Sequence, residues 1–260
     1  MSNLLTLLSD FGLRDAYVGV MKGTIAQINP NLTVIDLTHQ IPPQDIAAAR
    51  FNLMAAYSYF PAGTVHVAIV DPGVGGKRRA VAIQFVGGFL VGPDNGLFSG
   101  VLSQAPAMAA VELTNPRYWL TPRPSQTFHG RDIFATVGAH LASGVSLAEL
   151  GTPISLETLV SLDEAQLVSI NGGIIGSIQY IDHFGNLITT LPGTRVGENW
   201  AVIVAGQRVP GCQAYGDRPL REPIALVGSH GWIEISIYCG NAQTQLQQKL
   251  GECVTLICNF

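Results

Sequence analysis

Apolar runs and helical periodicity alternate along the first half of the chain. Leu4 to Leu8 is an uninterrupted apolar run, short enough for a buried central strand. Apolar residues then recur at helical spacing, at Val18, Met21, Ile25 and Ile28. A second strand, a second helix and a third strand follow, at Thr33 to Leu37, about Gln44 to Phe60, and Thr64 to Val70. This order is typical of a doubly wound α/β fold with a parallel sheet and right-handed crossovers.

The pattern changes at about Asn171, where short apolar strands separated by Gly, Asn and Pro turns begin. The predicted strands are Gly173 to Ile181, Trp200 to Ala205, Ile224 to Val227, Trp232 to Ile237 and Val254 to Ile257. Such a series is typical of a small antiparallel barrel or sandwich. With Ser155 to Ser169 as a linker, we predict an α/β domain over residues 1–160 and a β domain over residues 170–260.

Composition narrows the class of protein. Apolar residues make up 47% and charged residues only 12%, which excludes a disordered chain and favours an oligomer with covered surface. No apolar run approaches a membrane span and the N-terminus lacks a basic signal region, so we expect a cytoplasmic protein without a membrane partner. The net charge of -4 argues against a nucleic-acid partner. The four cysteines form no CxxC pair, and we expect reduced, mostly buried thiols.

The stretch from Val70 to Arg79 has the character of a site. Asp71 follows the third strand, three glycines lie within four residues, and two arginines end the loop. Parallel strands end at the same edge of a sheet, so Asp71 is expected near Asp10 and His39, which end the first two strands. The alternative is an ordinary connection in which Asp71 only caps the loop and the charges are solvated.

A second polar cluster, Thr127 to Asp132, precedes an amphipathic helix that is predicted to end near Ser143. Asp71, Arg78 and His129 together suit water activation, because a carboxylate orients, an arginine supplies a permanent charge and a histidine titrates near neutrality. His129 could instead be a packed structural histidine. A metal site built from Asp10, His39, Asp71 and His129 is a further alternative, although no metal-binding spacing is present. Walker, GxGxxG and GxSxG motifs are also absent from the sequence.

Seven motifs in chain order resemble those of a known family. They are Ser9-Asp10-Phe11-Gly12, Asp36-Leu37-Thr38-His39, Val70-Asp71-Pro72-Gly73-Val74-Gly75, Gly92-Pro93-Asp94-Asn95-Gly96, Thr127-Phe128-His129-Gly130-Arg131-Asp132, Asp182-His183-Phe184-Gly185-Asn186 and Gly240-Asn241-Ala242. Together they look like the S-adenosyl-L-methionine (SAM) hydroxide adenosyltransferases, or SAM hydrolases, relatives of the fluorinase and chlorinase. The resemblance implies an N-terminal Rossmann-like domain, a C-terminal antiparallel β-barrel, and a homotrimer with active sites between subunits.

The same resemblance implies a reaction and a set of site residues. Water or hydroxide would attack the 5′-carbon of SAM and release adenosine and methionine, with SAM as substrate and no cofactor or metal. The family's Asp-Arg-His triad falls on Asp71, Arg78 and His129, with Arg79 as the alternative arginine. Asp10 matches the carboxylate that binds the ribose hydroxyls. The residues that match methionine and adenine contacts are Asp182, Phe184, Asn186 and Ser229, with Asp15 as a weaker methionine candidate.

Two other functions compete with hydrolysis at the level of sequence. A non-catalytic module that binds SAM or adenosine would share the binding residues, but it would not need a titratable histidine and a cation beside the reacting carbon. The related halogenases place an aromatic or polar side chain where this chain has Asp71. Because a carboxylate beside a halide is repulsive, halogenation is disfavoured.

Overall fold

The computed structural model describes residues 3–162 and 166–258, and the chain divides into two compact units, 1–162 and 163–260. The described strands of the first unit are β1 (Leu4–Ser9), β2 (Thr33–Thr38), β3 (Thr64–Ile69), β4 (Ala80–Phe85), β5 (Gly88–Pro93), β6 (Ala107–Glu112) and β7 (Thr152–Pro153). Its described α-helices are α1 (Tyr17–Ile28), α2 (Ile46–Ala56), α3 (Ser99–Gln104) and α4 (Thr136–Ala142). A π-helical turn over Gly130–Ala135 leads directly into α4.

The sheet of the first unit has the order β2-β1-β3-β5-β4-β6-β7. β2, β1, β3 and β5 are parallel, whereas β4, β6 and β7 run antiparallel to their neighbours. The predicted parallel pairing of the first three strands is therefore confirmed, and the antiparallel strands lie in the second half of the sheet. β4 and β5 form a hairpin with its turn at Val86 and Gly87, and a hairpin needs no crossover helix.

β1 and β3 are neighbouring interior strands of this sheet, and both are buried. β3 is buried along its whole length, and β1 from its second residue. Both strands carry apolar side chains to both faces, as expected for strands covered on two sides. Phe134, just before α4, is fully buried in the same core. The carboxyl ends of β1 and β3 therefore open side by side at one edge.

The second unit is a nearly closed antiparallel barrel-like sheet. Its described strands are β8 (Val168–Ile170), β9 (Gly173–Ile181), β10 (Leu187–Pro192), β11 (Trp200–Val204), β12 (Gln207–Pro210), β13 (Pro223–Val227), β14 (Trp232–Ile237) and β15 (Cys253–Cys258), with helix α5 (Ala242–Leu246). The order is β12-β11-β15-β9-β10-β14-β13, with β8 paired to β9. A hydrogen bond from Cys212 N to Ala225 O, 2.8 Å, joins the two ends of the order. The predicted class of α/β unit followed by antiparallel β unit is confirmed.

Some local predictions differ from the structure. Part of the segment 155–169, which was expected to be a linker, makes ordered contacts. Val160 N donates a hydrogen bond to Asp94, and residues 168–169 belong to β8. Cys239 and Cys253 are exposed rather than buried, and the side chain of Cys258 lies outside the described part. β10, β12 and α5 were not anticipated, since Thr, Gln and Pro dilute their apolar pattern. Among the described residues, no helix combines the length and apolar character needed to cross a bilayer.

Candidate active site

A cavity of about 420 Å³ opens at the carboxyl ends of β1 and β3. Its volume lies within the range of roughly 300–1,000 Å³ that small-molecule sites occupy. The lining residues are Asp10, Phe11, Tyr17, Gln44, Ile69, Asp71, Pro72, Val74, Thr127, Phe128, His129 and Gly130. They come from the loops after β1, β2 and β3 and from the segment that begins the helix at Gly130.

The structure brings Asp71, Arg78 and His129 into one hydrogen-bonded row. Arg78 Nε donates to both carboxylate oxygens of Asp71, at 2.9 and 3.0 Å, and its NH2 group also reaches Asp71. The same NH2 group lies 2.7 Å from His129 Nδ1. Asp71 and Arg78 are largely buried, with side-chain exposures of 6% and 12%. The guanidinium therefore joins the carboxylate to the imidazole.

This row fixes the protonation state of His129. A guanidinium only donates, so His129 Nδ1 must accept from Arg78, and the ring proton then lies on Nε2. Burial, and next the Arg78 cation, lower the pKa of His129, while Asp71 and Asp132 act in the opposite direction. A neutral imidazole at neutral pH follows. Asp71 and His129 line the cavity, whereas Arg78 lies behind them.

The loop between β3 and β4 is shaped by its glycines and by a neighbouring loop. Gly75 has a φ of +73°, and a Cβ there would lie 2.3 Å from the carbonyl oxygen of Gln126. Only glycine allows this close approach without strain. From the other side, Asn95 Nδ2 donates to Val70 O at 2.8 Å. These contacts hold Asp71 at the start of the loop.

His129 is held by the segment around it. Asp132, which is fully buried, accepts a hydrogen bond from Ser125 N at 2.7 Å and pairs with Arg131. The Arg131 guanidinium also lies over the Phe128 ring, 5.3 Å from its centroid. The loop before His129 and the helix after it are thus joined by one carboxylate.

Arg79, the alternative arginine, points elsewhere. Its Nε donates to Asp94 at 2.9 Å, and its NH1 donates to Thr158 Oγ1 at 2.9 Å. Asp94 is nearly buried, with a side-chain exposure of 4%. The structure therefore places Arg78, and not Arg79, beside Asp71 and His129.

Asp10 lies at the cavity with neighbours that the sequence did not suggest. Its carboxylate accepts a hydrogen bond from Gln44 N at 2.8 Å, and Gln44 has a φ of +68°. Phe11, Tyr17 and Phe128 form an aromatic cluster, with ring centroids 5.2 to 5.9 Å apart. Gln44 contributes through its backbone, which no side-chain motif reveals.

Two of the first unit's candidates do not join the cavity. Asp15 is exposed and does not line it. His39 is buried and bonds to Ser9 and Asp36, so the expected gathering with Asp10 and Asp71 is wrong for its side chain. Among the described residues, no three His, Cys, Asp or Glu side chains lie close enough to hold a metal ion together.

In the second unit, Asp182 organises the turn between β9 and β10. Its Oδ1 accepts from Phe184 N and Asn186 N, each at 2.9 Å, and its Oδ2 accepts from Asn186 Nδ2 at 2.9 Å. Gly185, with a φ of +81°, leaves room for the side chain of Asn241. Phe184 is 70% exposed, so this rigid turn presents an aromatic ring at the surface.

Ser229 is exposed in the turn between β13 and β14. Next to this turn lies Glu234, a buried carboxylate that the sequence motifs do not include. Glu234 Oε1 accepts from Tyr215 Oη at 2.6 Å and from Ser236 Oγ at 2.7 Å, and His230 Nε2 lies 3.3 Å from its other oxygen. A glutamate within an alternating strand gives no signal of its own in the sequence.

Comparison with known proteins places these residues in a family. The model of the SAM hydroxide adenosyltransferase N-terminal domain matches residues 5–151, and that of the C-terminal domain matches residues 176–255. A Thermus thermophilus protein named (R)-S-adenosyl-L-methionine hydrolase is 42% identical, over 96% of this chain and 98% of its own length. An uncharacterized conserved protein from Thermotoga maritima has a crystal structure that matches with a TM-score of 0.91 and 32% identity, over 98% of this chain and 100% of that one. An Actinoplanes fluorinase is 30% identical, over 74% of this chain and 72% of its own length.

Proposed function

This chain belongs to the SAM hydroxide adenosyltransferase family, and we propose from this premise that it hydrolyses SAM to adenosine and L-methionine. One structural observation supports the proposal independently of the similarity to known proteins. Asp71, Arg78 and His129 form a continuous hydrogen-bonded row, and two of the three line a cavity large enough for a small substrate.

The charge of this row suits a cationic substrate. A free guanidinium beside a sulfonium would be repulsive, whereas Arg78 is neutralised by Asp71, with their atoms 2.5 Å apart. His129 adds no charge when it is neutral. The row thus presents polar groups to the reacting carbon with a net charge of zero.

The chemistry that we propose is an in-line displacement by water. A bond forms between the water oxygen and the 5′-carbon as the bond from that carbon to sulfur breaks, and the electron pair leaves with sulfur. His129 Nε2–H can donate to the attacking oxygen, and the Asp71 carboxylate can accept the proton that the water loses. Arg78 fixes both groups, so most of the rate comes from positioning and desolvation.

The ribose of SAM binds at Asp10 in this proposal. The Asp10 carboxylate accepts hydrogen bonds from the two ribose hydroxyls, because a carboxylate is a good bidentate acceptor. The aromatic cluster of Phe11, Tyr17 and Phe128 offers ring faces to a cation or a flat base. The proposed methionine and adenine contacts are Asp182, Phe184, Asn186 and Ser229, with Asp15 as a weaker methionine contact.

We also propose a cytoplasmic homotrimer with active sites between subunits, which acts without a cofactor or metal. The low charged fraction of 12% supports a protein with covered surface. The exposed Phe184 ring is suited to a partner surface or a ligand. Light scattering coupled to size exclusion tests the assembly, and a monomer in solution would refute it.

The test of the reaction is incubation with SAM, with and without chelator and halide, followed by separation of the products by liquid chromatography. Equal amounts of adenosine and methionine, independent of both additives, support the hydrolase. Halogenated nucleoside would indicate a halogenase, and loss of product with chelator a metal enzyme. Binding of SAM without product would leave only a binding module. Asp71→Asn and His129→Gln are both expected to slow adenosine formation, and full activity in both would refute the mechanism.

A further inference from the structure

A chain of polar side chains runs behind Asp10, outside the cavity, from Lys22 and Asp36 at the surface to His39 and Ser9 in the interior. Lys22 Nζ lies 2.6 Å from Asp36 Oδ2, and Asp36 Oδ1 lies 3.2 Å from His39 Nε2. His39 Nδ1 lies 2.7 Å from Ser9 Oγ. Ser9 is fully buried and His39 is 3% exposed. Nothing in the reaction just described uses these side chains.

The direction of each hydrogen bond follows from the donors present. Burial raises the pKa of Asp36, but Lys22 and His39 outweigh it and keep the pKa below its ordinary value. Asp36 is therefore a carboxylate, and its charge 3.2 Å from His39 Nε2 favours the tautomer with the ring proton on Nε2, although the two atoms are not aligned as a hydrogen bond. His39 Nδ1 then accepts from the Ser9 hydroxyl, and Ser9 Oγ accepts from Phe11 N at 3.3 Å.

The backbone repeats the same connection. Gly12 N donates to His39 O at 2.8 Å, and Gln44 N donates to Asp10 Oδ2 at 2.8 Å. The loop after β2 thus holds the turn after β1 on both sides of Asp10, and His39 contributes to this with both its side chain and its backbone.

We propose that His39 is a positioning residue, which orients the turn that carries Asp10 so that the carboxylate meets the ribose hydroxyls. This inference rests on the ribose role of Asp10 in the proposed function. It assigns no contact between His39 and the substrate. Loss of a hydrogen bond to a charged group weakens binding by roughly tenfold to 100-fold. We therefore expect adenosine affinity to fall by about tenfold to 100-fold when His39 loses its polar ring and Asp10 no longer meets a ribose hydroxyl.

The chain offers a matched control for this experiment. His66 is 1% exposed in the adjacent strand β3, and its Nδ1 lies 2.8 Å from Thr6 Oγ1, so it is a second buried histidine with a hydroxyl partner on β1. It does not line the cavity. His66→Leu should therefore lower the melting temperature and leave adenosine affinity unchanged.

The measurement is adenosine binding by calorimetry in a double-mutant cycle of His39→Leu and Asp10→Ala. We expect His39→Leu to weaken binding in the wild-type background and to add little in the Asp10→Ala background. His39→Asn, whose carbonyl oxygen can still accept from Ser9, should restore part of the affinity. Ser9→Ala removes only the hydroxyl and serves as the second probe if His39→Leu fails to fold.

Losses that simply add, no loss at all, or an equal loss in His66→Leu would each overturn the inference. The failure of the two proposals can be told apart. A protein that binds adenosine and does not cleave SAM refutes the hydrolase alone, and the cycle still decides the role of His39. A protein that does not bind adenosine refutes the role of His39 together with the ribose role of Asp10.

Discussion

Arg78 and Arg79 are adjacent in sequence, and their replacement by alanine is expected to have different effects on activity and similar effects on stability. Each arginine pairs with a nearly buried aspartate: Asp71 has a side-chain exposure of 6% and Asp94 of 4%. Removing one partner of a buried pair leaves an uncompensated charge, which costs about 3 kcal/mol. For a chain of this size, that loss lowers the melting temperature by about 6–12 °C.

Turnover should separate the two variants. Arg78→Ala breaks the contacts to both Asp71 and His129, and loss of such a preorganised group typically costs about 100- to 1,000-fold in kcat. Arg79→Ala breaks contacts to Asp94 and Thr158, neither of which lines the cavity, so kcat should be unchanged. Arg78→Lys should be intermediate at best, since an ammonium cannot form the same fork with a carboxylate.

The assay is adenosine release at a temperature well below both melting points, with unfolding followed in parallel by calorimetry. The reasoning is refuted if Arg79→Ala loses as much kcat as Arg78→Ala, or if Arg78→Ala keeps wild-type turnover. A stability loss confined to one of the variants would refute the assumption that the two ion pairs are equivalent.

Three further outcomes can be measured. Burial and the Arg78 cation lower the pKa of His129, and a protonated Nδ1 cannot accept a hydrogen bond from Arg78. We therefore expect kcat/KM to fall with decreasing pH through an apparent pKa below 6.5. A flat pH profile would contradict this. Burial lowers the pKa of His66 to about 4, so the unfolded chain takes up its proton first as pH falls from 6.5, and about 3 kcal/mol of stability should be lost by pH 4. That acid-side loss should be smaller in His66→Leu in urea titrations. Gly75→Ala should cost about 1–3 kcal/mol in the same titrations, whereas Gly19→Ala, where a Cβ meets nothing within 4 Å, should cost nothing.

The sequence pattern predicted those strands and helices whose structure follows from local hydrophobic periodicity. The first three strands and two helices have strong periodicity, and polar residues at strand ends led to Asp10 and Asp71 at one edge of the sheet. It could not decide between Arg78 and Arg79, because neighbouring side chains leave the backbone in different directions. Only Asp94, fifteen residues beyond Arg79, settles which arginine faces which partner.

Other features depend on tertiary contacts that no local pattern encodes. Gln44 reaches Asp10 through its backbone N–H, and that group is the same in every residue except proline. The side chain of His39 was expected at the edge of the sheet, but Ser9 and Asp36 hold it in the interior. The roles assigned to Asp182, Phe184, Asn186 and Ser229 remain predictions.

The different partners of Arg78 and Arg79 also limit which sequence changes this loop tolerates during evolution. Arg78 binds Asp71 and His129 at the cavity, whereas Arg79 binds Thr158 in the segment that follows the first unit's last strand. Two successive residues of one loop therefore have different functions. Substitutions between Gly73 and Lys77 leave the spacing intact, but a single deleted residue would bring Arg79 to the spacing of Arg78, and a single inserted residue would bring Lys77 there. The number of residues from Asp71 to Arg78 is therefore a stricter constraint on this loop than most of the side chains within it.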